Sequence, residues 1–75
     1  MNPSATAVEC DEKEIVVTLS DGQTLRMPLS DFPRLLGASP EQRLKVRISR
    51  SGTGLHWDEL DEDLSLEGLL RVQRD

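Results

Sequence analysis

The fold is decided by residues 14–29, which read EIVVTLSDGQTLRMPL. Apolar and polar side chains alternate in two runs on either side of Asp21 and Gly22, and such alternation is typical of half-buried strands. Asp-Gly between the two runs predicts a tight β-hairpin, because both residues tolerate the positive φ angles of the turn. One face of the hairpin is predicted to be buried, and it comprises Ile15, Val17, Leu19, Leu25, Met27 and Leu29.

Shorter alternating runs lie on both sides of this hairpin. One predicts a first strand over Ala5–Cys10, and another predicts a half-buried strand over Leu44–Arg50. Leu55 and Trp57 fall on one face of a brief return strand, after a turn at residues 51–54. The inward side chains of the run at 44–50 are predicted to be Leu44, Val46 and Ile48.

Short helices are predicted between and after the strands. Residues 30–33 read SDFP, in which the serine or the aspartate caps a helix and the proline fits its first turn. Leu35 and Leu36 would form the apolar face of this helix. Residues 39–43 repeat the cap-then-proline pattern, and the leucine-rich residues 64–70 predict a last short helix.

These elements predict a single α+β domain over residues 1–75, frayed over about residues 1–5 and 73–75. We expect a small antiparallel sheet of about four or five short strands, a meander that contains the Asp-Gly hairpin, packed against one or two short helices. A chain of 75 residues buries only about 60 % of its unfolded surface. That size excludes a second lobe and most catalytic folds that need a deep cleft.

The composition indicates where the protein works. The net charge is −5, and an acidic domain is repelled by phosphate backbones, so direct binding of nucleic acid is not expected. The single cysteine, Cys10, is typical of a reducing compartment. No apolar run approaches the roughly 20 residues that span a bilayer, and the N-terminus lacks the features of a signal peptide. We therefore expect a cytoplasmic protein without a membrane segment.

Charge is unevenly distributed along the chain. Residues 1–33 carry six acids and two bases, residues 34–50 one acid and five bases, and residues 51–75 seven acids and two bases. The basic residues Arg43, Lys45, Arg47 and Arg50 form a stripe in the middle segment. This stripe has four open interpretations: it pairs with the acids of residues 58–63, it protects an edge strand, it binds a protein partner, or it binds nucleic acid.

Three kinds of reactive site are weighed against simpler roles. Residues 61–67 carry polar oxygens at alternate positions, like a calcium-binding loop, but leucine and valine stand where glycine and glutamate are needed. Cys10 and His56 have no sequence neighbours that would complete a nucleophilic site. The acids of residues 58–63 share one wet environment, whereas acid–base catalysis needs two different environments. No catalytic, cofactor-binding or metal-binding residue is therefore predicted, and we do not expect an enzyme.

The order of the motifs resembles a known family. Residues 54–65 read GLHWDELDEDLS and precede a leucine pair, while residues 31–35 read DFPRL after the two strands and their Asp-Gly turn. This arrangement resembles the bacterial family called domain of unknown function 2442, over roughly residues 5–72. The resemblance implies a compact α+β domain with no established catalytic residue. It also implies a toxin–antitoxin-like pairing with a neighbouring small protein; longer members append a helix-turn-helix, so DNA would be reached only through a partner.

We expect a small non-enzymatic protein-interaction domain, which by resemblance neutralises a toxin-like protein encoded alongside it. Homo-oligomerisation stays open. Trp57 either anchors the core, which is favoured in so small a protein, or anchors an interface. The alternatives are a nucleic-acid accessory protein that uses the Arg43–Arg50 stripe, and an uncharacterised small enzyme. The residues predicted to bind the partner are Trp57, Asp58, Asp61, Asp63, Lys45 and Arg47.

Overall fold

Two three-stranded antiparallel sheets form the framework of the computed structural model, which describes residues 3–73. The first sheet has the order β1 (Ala5–Cys10), β2 (Glu14–Leu19) and β3 (Thr24–Pro28). The second sheet has the order β4 (Arg47–Ile48), β5 (Gly54–Trp57) and β6 (Glu62–Ser65). The helices are α1 (Pro33–Leu36), α2 (Pro40–Leu44) and α3 (Leu66–Gln73), with 3-10 turns at Leu29–Asp31 and Asp58–Leu60. The α+β class is confirmed, and the described strands number six in two sheets.

The predicted hairpin of β2 and β3 is confirmed, with a longer loop than expected. Gly22 has a φ of 91°, and its N–H donates to the carbonyl of Leu19 over 3.0 Å. The N–H of Leu19 in turn donates to the carbonyl of Gln23 over 2.8 Å, which closes a three-residue loop with one left-handed glycine. Asp21 does not take a positive φ; its Oδ1 accepts from the N–H of Gln23 over 3.0 Å instead.

One hydrophobic core lies between the two sheets and is closed by the helices. All six side chains predicted for the buried face of the hairpin are at most 5 % exposed. Leu55 and Trp57 on β5 face them from the second sheet, and Leu35, Leu66 and Leu69 complete the core from α1 and α3. The alternating pattern therefore identified the buried residues of β2, β3 and β5 correctly.

The predicted strand over Leu44–Arg50 is wrong in its first half. A capping box fixes the start of α2, because Ser39 and Gln42 bond each other's backbone N–H groups, and α2 continues to Leu44. Leu44 is 71 % exposed, and only Arg47 and Ile48 form β4. Local capping thus overrides the alternating pattern at the junction.

The capping predicted for α1 is also wrong. A 3-10 turn precedes this helix, and the N-cap residue is Phe32, which makes no side-chain capping bond. Leu35 is buried as predicted, but Leu36 is 49 % exposed. The last predicted helix begins two residues later than expected, at Leu66, because the preceding acidic segment contributes strand β6.

The predicted first strand over Ala5–Cys10 is confirmed as β1. Ala5 begins β1, is 6 % exposed, and donates its N–H to the carbonyl of Gly52 over 2.8 Å. Ala5 therefore belongs to β1, as the strand prediction placed it, and the fraying expected over about residues 1–5 does not extend to it. Gln73 ends α3, and the fraying predicted for residues 1–2 and 74–75 lies outside the described residues. None of the helices within residues 3–73 has the length and apolar character needed to cross a bilayer.

Candidate protein-binding site

Two residues of the basic stripe pair with the acidic segment that follows β5. The Nζ of Lys45 lies 2.8 Å from Oε2 of Glu59, and Nη2 of Arg47 lies 3.1 Å from Oδ1 of Asp58. The hydrogen bond from Arg47 lowers the pKa of Asp58 below its usual value. Internal pairing, one of the four interpretations of the stripe, is thus confirmed for these residues. All four side chains are exposed, so solvent screens these pairs and they contribute little to stability.

Arg43 does not belong to an accessible stripe. It is 8 % exposed, and its Nε and Nη2 donate to the carbonyls of Leu35 and Leu36 over 2.9 and 3.0 Å. These carbonyls lie at the C-terminal end of α1, where helical carbonyls lack partners within the helix. Arg43 therefore closes the end of α1, and it is removed from the surface predicted to contact a nucleic acid or a protein.

Trp57 lies in the core. It is 1 % exposed, and its Nε1 donates to the carbonyl of Arg43 over 3.0 Å. A buried indole usually needs such a partner for its N–H. The structure therefore corrects the inclusion of Trp57 among the partner-binding residues, and it favours the core role that the sequence left open.

A left-handed residue marks the start of β6. Asp61 has a φ of 52°, a conformation that aspartate tolerates better than most residues. Its carbonyl accepts a hydrogen bond from Nη1 of Arg34, a residue of α1. This contact ties the beginning of β6 to the first helix and leaves the exposed Asp61 side chain directed to the surface.

His56 and Asp63 form a cross-strand pair on the outer face of the second sheet. Nδ1 of His56 lies 2.6 Å from Oδ1 of Asp63, and their side chains are 27 % and 70 % exposed. A shallow depression of about 450 Å³ beside them contains Ser51, Thr53 and Ser65. No hydroxyl of the described residues hydrogen-bonds to His56. The sequence placed His56 on the outer face but missed this partner, because β6 was not predicted.

β6 is an edge strand whose outer side is open. Leu66 donates its N–H to the carbonyl of Thr53 over 2.8 Å, so these two residues form a hydrogen-bonded pair at the end of the ladder between β5 and β6. Antiparallel pairs alternate between bonded and non-bonded positions, so Leu64 bonds to β5 while Asp63 and Ser65 direct their N–H groups outwards. Within residues 3–73, the backbone of Asp63 and the N–H of Ser65 have no hydrogen-bond partner.

A groove runs beside this open edge. It has a volume of about 550 Å³ and lies between β6, the 3-10 turn after β3, and α3. Asp31 stands at its rim. The groove thus combines unpaired backbone groups with apolar surface. Its other principal lining residues are Met27, Phe32, Asp63, Leu64, Ser65 and Leu69.

The single cysteine, Cys10, lies at the end of β1 and is partly buried. Burial raises the pKa of the Cys10 thiol, which lowers the fraction present as the reactive thiolate. In the part of the chain that the structure describes, no group of three or more histidine, cysteine, aspartate or glutamate side chains is placed to hold a metal ion.

Comparisons with known proteins place the chain in a family. Residues 5–74 match the family model described as protein of unknown function (DUF2442). No curated protein matches the chain significantly. The crystal structure of a protein of unknown function from Rhodospirillum rubrum is similar with a TM-score of 0.84 and 38 % identity, over 96 % of this chain and 89 % of that chain.

A second solved structure supports the same assignment. The solution NMR structure of an uncharacterized protein from Chromobacterium violaceum is similar with a TM-score of 0.77 and 35 % identity, over 96 % of this chain and 68 % of that chain. The family model covers nearly the whole chain. The order of the sequence motifs predicted membership of this family over roughly the same residues. The chain therefore belongs to the family of proteins of unknown function DUF2442.

Proposed function

We propose that this chain is a non-enzymatic protein-interaction domain that binds an extended segment of another protein along β6. The observation that carries the proposal is the open outer edge of β6, where the backbone of Asp63 faces an apolar groove of about 550 Å³. Strand addition to such an edge supplies main-chain hydrogen bonds, and adjacent pockets select side chains. By resemblance to its family, the partner is a small toxin-like protein that this chain neutralises in the cytoplasm.

The pair of His56 and Asp63 is the strongest argument for an enzyme, and its geometry does not favour one. A nucleophile must lie within hydrogen-bond reach of its base. The nearby hydroxyls of Ser51 and Thr53 bond to each other over 2.6 Å, and Ser65 accepts from the N–H of Gly68. Both features support a structural pair on a sheet face.

A nucleic-acid accessory role is also less favoured. Arg43 is buried, while Lys45 and Arg47 are engaged by Glu59 and Asp58. These contacts reduce the positive surface that phosphates would need. A titration with duplex DNA and with RNA at two salt concentrations tests this alternative, because binding to phosphates weakens steeply with salt.

The experiment that tests the proposal compares two substitutions of one residue. Asp63→Pro removes the outward N–H of β6, whereas Asp63→Ala keeps it and removes the same carboxylate. Each variant and the wild-type chain are used to capture proteins from the native host, and the captured proteins are quantified by mass spectrometry. Unfolding followed by Trp57 fluorescence confirms that each variant folds.

The proposal expects one stoichiometric small protein with the wild-type chain, and at least about tenfold less of it with Asp63→Pro than with Asp63→Ala, since the loss of one N–H breaks strand pairing. Equal recovery by both variants would show that binding does not use the edge of β6. Failure of the wild-type chain to retain any protein would remove the basis of the proposal.

A further inference from the structure

We infer that the segment bound along β6 alternates basic and apolar side chains, an inference that rests on the proposed function and specifies its ligand. The chemistry of the bound segment follows from which residues of β6 face outwards, which face the groove, and which charges surround them. The strand register gives the two faces, and the sequence gives the charges.

The register fixes the two faces that an added strand would continue. Arg47, His56 and Asp63 lie in one cross-strand row on the outer face, and Ile48, Leu55 and Leu64 lie in the next row on the core face. Directly opposed residues of neighbouring strands point to the same face. A residue of the added strand opposite Asp63 would therefore be exposed, and a residue opposite Leu64 would enter the groove.

The groove favours apolar side chains at the second of these positions. Leu64 and Phe32 are half-buried, and Met27 and Leu69 form the apolar floor. A volume of about 550 Å³ lies within the range of about 300–1,000 Å³ typical of ligand-binding clefts. An apolar side chain placed opposite Leu64 would thus be removed from water against surfaces that are already apolar.

The charges around the edge favour lysine or arginine at the first position. The Asp63 side chain is 70 % exposed, Asp31 stands at the groove rim, and the preceding residues 58–62 carry four further acids. Opposite charges across neighbouring strands are stabilising, and like charges are destabilising. A basic residue opposite Asp63 would continue the row in which Arg47, His56 and Asp63 already lie side by side.

The same charges argue against β6 of a second copy as the occupant, and the basic residues Lys45 and Arg47 of a second copy are already paired with Glu59 and Asp58. Pairing β6 with another β6 would bring Asp63 close to the acidic residues of the other copy. The edge of β3 is a poorer alternative for any partner, because this strand ends at Pro28, which has no N–H to donate. The structure thus favours a foreign, basic strand at β6.

The test uses synthetic peptides and the isotope-labelled full chain, followed by NMR. The probe is a nine-residue peptide that alternates lysine and valine. One control alternates glutamate and valine, and another carries N-methyl groups at every lysine, which remove every second N–H donor. We expect chemical-shift changes at Asp63, Leu64 and Ser65 with the basic probe. At a free concentration of about ten times its Kd, the lysine–valine probe should slow hydrogen exchange of the Asp63 amide about tenfold.

A charge-reversal variant and its control isolate the role of Asp63. Asp63→Lys should weaken binding of the lysine–valine probe about tenfold, because an opposite-charge cross-strand pair becomes a like-charge pair. Glu9→Lys makes the same change in net charge at an exposed residue outside the groove, and it should change the affinity less than about twofold.

The outcomes separate this inference from the proposed function. If the acidic probe binds the β6 edge as tightly as the basic one, the ligand chemistry is wrong while edge binding stands. If the probe shifts residues away from Asp63 and Ser65, the edge inference is overturned while a protein-interaction role survives elsewhere. If the N-methylated peptide binds as well as the unmodified one, strand pairing is wrong. An absence of binding by any probe overturns the inference, and the capture experiment then decides the proposed function.

Discussion

Replacing Arg43 by methionine tests whether a residue that the sequence placed on the surface stabilises the fold from within. Methionine keeps much of the apolar stem and removes both guanidinium hydrogen bonds. These bonds reach the carbonyls of Leu35 and Leu36 over 2.9 and 3.0 Å. The substitution therefore separates the role of the charged group from the role of the packed stem.

The geometry sets the size of the effect. Hydrogen bonds to a charged group contribute about 1.5–3 kcal/mol each. The loss is smaller here, because the carbonyl of Leu35 still accepts from the N–H of Ala38 and water can reach the partly buried carbonyl of Leu36. We expect Arg43→Met to reduce the free energy of unfolding by about 2–3 kcal/mol. The total for a domain of this length is about 4–11 kcal/mol.

Urea unfolding followed by tryptophan fluorescence and by circular dichroism measures this change. Trp57 is the only tryptophan, and its Nε1 bonds to the carbonyl of Arg43, so fluorescence reports on the same junction. With a slope of about 1 kcal/mol/M, the urea concentration at the midpoint should fall by about 2–3 M. The matched control, Arg50→Met, changes an exposed arginine and should shift stability by less than about 0.5 kcal/mol. Equal midpoints for the Arg43 variant and the wild type would refute the role of Arg43.

Three further predictions concern the first sheet and its junction with the second. Backbone N–H groups of the β1–β2 turn hydrogen-bond to Asp11 and lower its pKa. The contribution of Asp11 to stability is therefore present above the unfolded pKa of about 3.9 and is lost as the pH falls towards the folded value. The difference in unfolding free energy between the wild type and Asp11→Asn should shrink from pH 7 to pH 2, and a constant difference would contradict this cause. In urea unfolding, Gly52→Ala should lower the free energy of unfolding more than Gly22→Ala does. Both glycines have a positive φ, which alone costs about 1–2 kcal/mol for alanine, but only a Cβ on Gly52 would clash, because it would lie 2.5 Å from Cβ of Ser4. At pH 7.4, iodoacetamide should alkylate Cys10 at a rate at least about threefold lower than the rate at which it alkylates glutathione, because burial raises the pKa of the Cys10 thiol and only the thiolate reacts. Alkylation of Cys10 that is faster than that of glutathione would argue for an activated cysteine.

The hairpin was predictable because its information is local. Alternation over residues 14–29 identifies the buried face, and Gly22 identifies the turn, without reference to any distant part of the chain. The loop length was missed because Asp21 bonds to a neighbouring backbone N–H rather than taking a positive φ. Both types of turn use the same two residue types, so the sequence alone does not separate them.

The second sheet was less predictable because its pairing is not local. The acids of residues 61–63 read as a solvated loop, but Glu62 and Leu64 pair with Trp57 and Leu55 once β5 is in place. In the same way, Arg43 was assigned to the basic stripe by its charge, whereas its guanidinium donates hydrogen bonds to carbonyls of α1. The sequence therefore identified Asp63 as a candidate site residue from its charge alone. It did not predict that Asp63 lies on an open strand edge, where that charge selects a partner under our proposal.

Open strand edges are templates for unwanted pairing between copies of a protein, and charged side chains are a common protection against it. Asp63 and the acids before it supply that protection for β6, because a second copy would present the same negative charges. Protection of this kind acts only against negative or neutral strands, and it leaves the outward backbone of Asp63 free to bond to a basic one. The acidic residues that discourage self-pairing are thus the residues that, under our proposal, select the partner. Removing the charge of Asp63 therefore acts on both at once: it weakens binding of a basic segment and makes pairing between copies easier.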